Sequence, residues 1–268
     1  MSEVAVRRVY GTATAAVLAF IIMPLVVIVW ASFFSNRILT FPPQGYTLNW
    51  YVRAWSLEDF RNGFLTSIGV AACATCISLL LGVPASLGLV RHRFAGRDAI
   101  QTLLLSPMVV PGIVGGAALF IAFIQFEDLT DVQIAGTVGG LLIAHALIAL
   151  PWTVRLVSAS LVGMDRSVEE AAASLGATQM VVLRRVTFPG IRHAIIAAAL
   201  FSFVISFIDL EKSLFLIGPG RTTLQIALVN YLEWNLDSTV AAVATVQIAI
   251  VGAVLLLSSR YAKLDSAF

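Results

Sequence analysis

Four ionisable residues in this sequence stand where ionisable residues are costly. His145 lies inside the apolar run "LLIAHALIALPW", and Asp209, Glu211 and Lys212 sit together in "SFIDLEKSLFLIGPG". A polar or charged group at hydrocarbon depth needs a partner and marks a functional candidate by default. Asp209 and Lys212 are three apart and can pair on one helix face. A net negative charge remains after that pairing, so the acids could instead line a polar path for a cationic solute. His145 could belong to such a path, or it could hydrogen-bond a neighbouring helix. The chemistry on offer is recognition and passage of a cation, with no bond made or broken. The sequence has no H-E-x-x-H, no G-x-S-x-G and no pair of aspartates within its apolar runs, so none of these enzyme signatures is met. Cys73 and Cys76, at i, i+3, have no second Cys or His pair nearby. Packing is their expected role, with no metal and no cofactor.

These residues are carried by elements of a membrane protein. The chain of 268 residues is 59% hydrophobic and 12% charged, with a mean hydropathy of +0.93. Soluble domains run nearer a quarter charged, so this chain has too little polar surface to stay in water. Six apolar runs, at about 10–34, 64–90, 99–126, 136–157, 194–217 and 239–259, are long enough to cross a bilayer at about 1.5 Å per residue. They are too long and continuous for barrel strands, which leaves helices as the way to satisfy the backbone in lipid. The expectation is one all-α, polytopic membrane domain of six transmembrane helices over 1–268. Arg7 and Arg8 precede the first run as they would in a signal peptide. That run is too long for a leader and lacks an A-x-A site, so it reads as an uncleaved span.

Orientation follows from the basic residues. With the N-terminus in the cytoplasm, the inner segments hold Arg7, Arg8, Arg91, Arg93, Arg97, Arg155, Arg166, Arg184, Arg185, Arg192, Arg260 and Lys263, most of the 17 basic residues. Arg37, Arg53, Arg61, Lys212 and Arg221 fall outside, among Glu58, Asp59, Glu127, Asp128, Asp131, Glu233 and Asp237. The bias places both termini in the cytoplasm. The scatter of the basic residues over loops gives no footprint for nucleic acid.

Three segments carry further signals. In "FPPQGYTLNWYVRAW", Pro42, Pro43 and Gly45 break the chain and Thr47 can cap a short helix. Trp50, Tyr51 and Trp55 suit an outer-face anchor, with a ligand-binding aromatic cage as the other reading. In "SPMVVPGIVGGAALF", Pro107 and Pro111 remove backbone donors, and Gly112 to Gly116 has the G-x-x-x-G spacing. That pattern fits a bent helix beside a pathway and fits a tightly packed helix equally well. Pro151, shortly after His145, is expected to bend the fourth span.

The stretch "EEAAASLGATQMVVLRRVTFPG" (169–190) is polar and helix-punctuated between two greasy runs. Ser167 and Glu170 have the S-x-x-E form of a capping box, which predicts a short helix through Ala171, Ala172, Ala173 and Leu175. Gly176 supplies the positive φ that ends it, Thr178 starts a second helix, and Pro189 is expected to close that one. Two short helices joined by a glycine form a projecting elbow that a cytoplasmic partner could grip. An amphipathic loop lying on the bilayer is the alternative.

Glu170-Ala171-Ala172, three residues, Gly176, nine residues, then Val186-Thr187-Phe188-Pro189 resembles the EAA loop of ABC importer permeases. Val186 and Phe188 stand where isoleucine and leucine are usual, the spacing is complete, and the likeness extends over essentially the whole chain. It implies a type I importer permease fold with a cytoplasmic coupling loop over 158–193. Ser167, Glu169, Glu170, Ala171, Ala172 and Gly176 would then contact or shape the docking site of a cytosolic ATPase dimer. It further implies a second permease subunit or second copy, an extracytoplasmic solute-binding protein and a place in the inner membrane. The segments "FPPQGYTLNWY" and "SFIDLEKSLFLIGPGRTTLQIALVNYLEW" look like the second permease subunit of polyamine-type importers. Where those often carry adjacent acids after "SF", this chain has Ile208-Asp209-Leu210-Glu211.

The expected cargo is a small solute, first a polyamine-like cation on the strength of Asp209 and Glu211, with His145 a further candidate along the path. Iron, phosphonates, opines and amino-acid-like solutes are the alternatives within the same family. The chain has no G-x-x-x-x-G-K-[ST] loop, so ATP hydrolysis is expected in a separate subunit and the chain is not itself an enzyme. An ion-coupled secondary transporter would need more buried ionisable groups or repeated broken segments. It would also leave the elbow unexplained.

Overall fold

The computed structural model describes residues 3–36, 38 and 40–263. Among them there is no strand, only an isolated bridge between Phe34 and Tyr46. The helices are α1 (Glu3–Ala31), α2 (Asn49–Ser56), α3 (Glu58–Arg91), α4 (Arg97–Leu105), α5 (Gly112–Thr130), α6 (Val138–Gly163), α7 (Arg166–Ser174), α8 (Gln179–Val182), α9 (Phe188–Phe207), α10 (Glu211–Leu216), α11 (Leu224–Trp234) and α12 (Thr239–Lys263). Six stretches are long and apolar enough to span a bilayer: Tyr10–Ala31, α3, α5, α6, Gln179–Phe207 and the part of α12 from Thr239 to Leu257. Arg37 and both chain ends, all assigned a side from the charge bias, lie outside the described residues.

The helices fall into two compact units. The first draws on Met1–Arg61 and Leu228–Ala253. Its aromatic residues join the end of α1 to α2: the Trp50 indole N–H donates to the carbonyl of Phe34 at 2.6 Å, and the Tyr51 and Ser32 hydroxyls lie 2.6 Å apart. The N-cap of α2 is Leu48, which makes no side-chain cap bond; Thr47, expected as the cap, stands one residue earlier and accepts at Oγ1 from the N–H of Asn49. Asp237 accepts from the N–H of Thr239 at the start of α12 and from the Tyr231 hydroxyl, and it pairs with Arg53 at 3.3 Å. Burial, foremost, raises the Tyr231 pKa above its ordinary value.

The second unit, Asn62–Ala227 with Val254–Phe268, holds every candidate site residue. Its centre is where α3, α6 and α9 meet. Small hydroxyl side chains link the three: Ser78 to Thr153 at 3.1 Å, Thr153 to Ser202 at 3.1 Å, and Ser202 on to the carbonyl of Ala149. Helices in lipid gain little from apolar transfer, so close backbones and interhelical hydrogen bonds do this work. Gly82 is what lets α3 come so near; a Cβ there would stand 2.7 Å from Thr153 Cγ2. Towards the elbow an apolar cluster of Val83, Val157, Leu161, Ile191 and Ala198 closes the packing.

Several expected boundaries are corrected. The run at 99–126 is two helices, because Pro107 and Pro111 divide α4 from α5 through a 3₁₀ turn at Ser106–Met108. Pro151 lies within α6, which is continuous to Gly163. Pro189 does not end a helix. A five-residue π turn, Leu183–Thr187, precedes it and lets α8 continue into α9 as one helix over Gln179–Phe207. A wider turn relieves the clash a proline ring makes with the preceding turn of an α-helix. The polar stretch is therefore mostly helical, with breaks only around Met164–Asp165 and Leu175–Thr178. Cys73 and Cys76 are free and lie on an exposed face of α3, so they do not serve the chain's own core.

Candidate functional site

The apolar run that was expected to end near 217 breaks earlier, between Phe207 and Glu211, and the break carries the charges. Asp209 turns its carboxylate onto the first turn of α10, accepting from the N–H of Lys212 at 3.0 Å and of Ser213 at 3.3 Å. Two backbone donors thereby find an acceptor, as in any helix cap. Lys212 Nζ lies between the two acids, 3.9 Å from Asp209 Oδ1 and 3.8 Å from Glu211 Oε2. The expected i, i+3 pair is present. The acids differ in exposure: the Asp209 side chain is 8% exposed and the Glu211 side chain 51%.

His145 is fully enclosed and spans the same break. Its Nδ1 lies 2.8 Å from Ser206 Oγ on α9 and its Nε2 3.1 Å from Ser213 Oγ on α10. Ser213 gives its own proton to the carbonyl of Asp209. Each ring nitrogen has a hydroxyl partner, one on either side of the break. Nε2 is also 4.0 Å from Asp209 Oδ2. The histidine is thus hydrogen-bonded to neighbouring elements, and it ties together the two helices that present the acids.

A cleft of about 580 Å³ opens beside this cluster, lined by Pro107, Met108, Gly112, Trp152, Asp209, Glu211 and Lys212 among others. The G-x-x-x-G segment combines a break and a close approach, on different residues. The proline-broken stretch borders the cleft. Gly112 and Gly116 bring α5 against α10, where a Cβ on Gly112 would land on the Glu211 carboxylate and one on Gly116 would stand 2.8 Å from the Glu211 carbonyl oxygen. Trp152 is braced by Phe201, their rings stacked with centroids 5.8 Å apart. A half-exposed carboxylate and an aromatic ring in the lining of one cleft suit an ammonium group.

The second constellation is the elbow. The capping box is corrected: α7 starts at Arg166, and its cap is Asp165, whose carboxylate accepts from the N–H of Ser167 at 2.9 Å. That hydrogen bond holds the Asp165 carboxyl below its ordinary pKa. Asp165 lies two residues before the serine and supplies a stronger, charged acceptor, so Ser167 becomes an exposed first-turn residue. The end of α7 is as expected. Gly176 has φ +89°, its N–H bonds to the carbonyl of Ala173, and the N–H of Ala177 bonds to that of Ala172. This is a Schellman ending, which glycine alone enters without strain.

The two glutamates of the elbow point apart. Glu170 is 69% exposed and only pairs with Arg166 one turn back, at 3.4 Å. Glu169 is 13% exposed; its Oε2 lies 2.9 Å from Arg91 Nε at the end of α3, and its Oε1 accepts from Thr187 Oγ1–H at 2.6 Å. Ala171 is exposed, Ala172 partly so, and Leu175 stands almost bare beside Gly176. Sequence reasoning missed Arg91, Thr187, Trp152, Ser206 and Ser213. Arg91 had been read only as one more inner positive charge, and nothing local ties it to Glu169.

Residues 74–264 match the family described as binding-protein-dependent transport system inner membrane component. The chain is 30% identical over 236 residues to the putrescine transport system permease protein PotI of Escherichia coli (strain K12), covering 88% of this chain and 84% of that protein. It is 28% identical to the spermidine/putrescine transport system permease protein PotC of Haemophilus influenzae, over 90% of this chain and 91% of that one. The putative 2-aminoethylphosphonate transport system permease protein PhnV of Salmonella paratyphi A is 30% identical, with 94% and 96% covered. Among solved structures, a chain of a bacterial ABC transporter that imports the acidic polysaccharide alginate superposes with a TM-score of 0.69 at 19% identity, over 95% of this chain and 96% of that one. A chain of the MetNI methionine ABC transporter superposes with a TM-score of 0.62 at 17% identity, over 77% and 95%. With six membrane-crossing helices in place, the chain belongs to the binding-protein-dependent transport system inner membrane components and is a permease subunit of an ABC importer.

Proposed function

We propose that this permease subunit passes a small polyamine-like cation and that Glu211 is the carboxylate the cargo meets. The observation that carries this reading is the unequal state of the two acids beside the cleft. Asp209 is satisfied by two backbone N–H groups and by Lys212, whereas Glu211 is half exposed toward open space with Trp152 on the same lining. Asp209, Glu211 and Lys212 together leave one net negative charge. The relatives named for putrescine and spermidine support an amine cargo. The relative named for 2-aminoethylphosphonate supports a different small solute that also carries an amine. Asp209 and His145 stand behind Glu211, fixing the break that presents it.

The subunit works with a second permease subunit, an extracytoplasmic binding protein and a cytosolic ATPase dimer, which supplies the hydrolysis. Both termini face the cytoplasm of a cell with this permease in its inner membrane. The ATPases grip α7 by its outward residues, Ser167, Glu170, Ala171 and Ala172, with Gly176 shaping its end. Their closure on ATP draws the elbows of the two permeases together and opens the cleft outward; hydrolysis returns it inward. The test is uptake of radiolabelled putrescine by proteoliposomes holding the full complex and its binding protein. Excess unlabelled putrescine and Glu211→Gln should each depress it. Full uptake by the Glu211→Gln complex would overturn the assignment of the cargo carboxylate.

A further inference from the structure

We infer that Glu169 is a positioning residue that locks the elbow to α3 and α9, so that α7 moves these helices when it is pulled. The inference rests on reading the elbow as the ATPase-gripped element. It divides the work of two adjacent acids: Glu170 faces out to the partner, and Glu169 faces in to the chain's own helices.

The geometry is specific. One carboxylate joins three elements, with Oε2 on Arg91 Nε at the last residue of α3 and Oε1 on the hydroxyl of Thr187 in the π turn that leads into α9. Thr187 is buried, and the Arg91 side chain is 15% exposed, so water has little access to weaken the ion pair. The pair is a close contact of opposite charges and not an aligned hydrogen bond, since Arg91 Nε and Nη2 have no hydrogen-bond partner; removing Glu169 leaves the guanidinium buried alone. The π turn supplies the rest. It is the one irregular turn in the helix that runs from the elbow into the membrane, and Thr187 closes it. Around the clamp lies a cleft of about 360 Å³, lined by Leu87, His92, Ala173 and Gln179 among others. The elbow is therefore only partly backed by packing, and the Glu169–Thr187 hydrogen bond together with the Arg91 charge contact supplies the link there.

The test uses the complete complex, with Cys73 and Cys76 replaced by alanine and nitroxide labels on His92 at the end of α3 and Leu175 at the tip of the elbow. The distance between the labels is read in the nucleotide-free and the ATP–vanadate-trapped states. In the native background the distribution should stay narrow and keep its centre, because elbow and α3 move as one. With Glu169→Gln it should broaden and shift on trapping while the ATPase subunit stays bound, and putrescine uptake per ATP hydrolysed should fall. Exchanging the charges, Arg91→Glu with Glu169→Arg, should narrow it again. Thr187→Val, a milder change, should broaden it less, and it serves where Glu169→Gln does not assemble. An unchanged distribution in both variants would overturn the lock, as would release of the ATPase by Glu169→Gln, since that would make Glu169 a docking residue. A native chain that retained no ATPase would instead overturn the reading of the elbow itself.

Discussion

Replacing Lys212 with methionine should tighten cargo binding. The Lys212 ammonium is a four-carbon tethered cation held 3.8–3.9 Å from both carboxylates, in the position a free alkylammonium would seek. Two unit charges about 4 Å apart interact by roughly 4 kcal/mol at the effective dielectric of a protein surface and by roughly 1 kcal/mol in bulk water. Glu211 is half exposed, so its share lies near the lower figure, about 1–2 kcal/mol after screening. Lys212→Met keeps the stem that packs on α5 and removes the competitor. An incoming ammonium then meets Glu211 unshared, and its affinity should rise about tenfold. Glu211→Gln should lower affinity by a similar factor and should also abolish most of the gain from Lys212→Met. The assay is equilibrium binding of radiolabelled putrescine to the solubilised complex without its binding protein, for the native chain, each single variant and the double variant. Equal affinity in the native chain and Lys212→Met, with Glu211→Gln also unchanged, would refute the reasoning and move the cargo away from this cleft.

Gly116→Val should destabilise the chain by about 1–3 kcal/mol, because its Cβ would press on the Glu211 carbonyl at 2.8 Å and the Phe215 ring at 2.9 Å. Thermal unfolding of the solubilised complex reads this, and an unaltered midpoint would mean that α5 and α10 do not pack as described. Gly176→Arg meets open space but must hold φ +89°, at a strain of about 1–2 kcal/mol confined to the end of α7. Membrane insertion should survive, co-purification of the ATPase should not, and normal uptake would contradict the docking role. Asp165→Ala should speed hydrogen exchange of the α7 amides, whereas Asp165→Asn, still an acceptor, should not. The pKa of this carboxyl is lowered in the folded chain. Its capping is therefore complete above the ordinary carboxylate range and lost as pH falls through the lowered value, so native α7 should approach the alanine variant only below about pH 4.

What the sequence made legible was local. Run length and hydropathy give the spans, because a helix must satisfy its own backbone in lipid whatever surrounds it. Gly176 could be read as a helix end because positive φ is a property of one residue. Prolines could not be read from the sequence alone. Pro107 and Pro111 break the third run, while Pro151 and Pro189 lie in continuous helix, one buried in the α6 core and the other relieved by a π turn. A proline signals a lost donor, and its neighbours in space decide whether the helix stops there. The acids teach the same lesson more sharply. Glu169 and Glu170 are one residue apart, which on a helix of 3.6 residues per turn separates their directions by about 100°. One therefore reaches the end of α3 and the other reaches solvent. Asp209 and Glu211 straddle the start of α10, so one caps the helix and the other stands on its exposed side. In each pair the sequence announces charge at a costly place, and the fold assigns one acid to hold the structure and leaves the other free to meet a partner. That division follows from which element lies opposite, Arg91 in one case and the first turn of α10 in the other. It explains why spacing marks the two candidate segments while the outward acid within each pair is visible only in the fold.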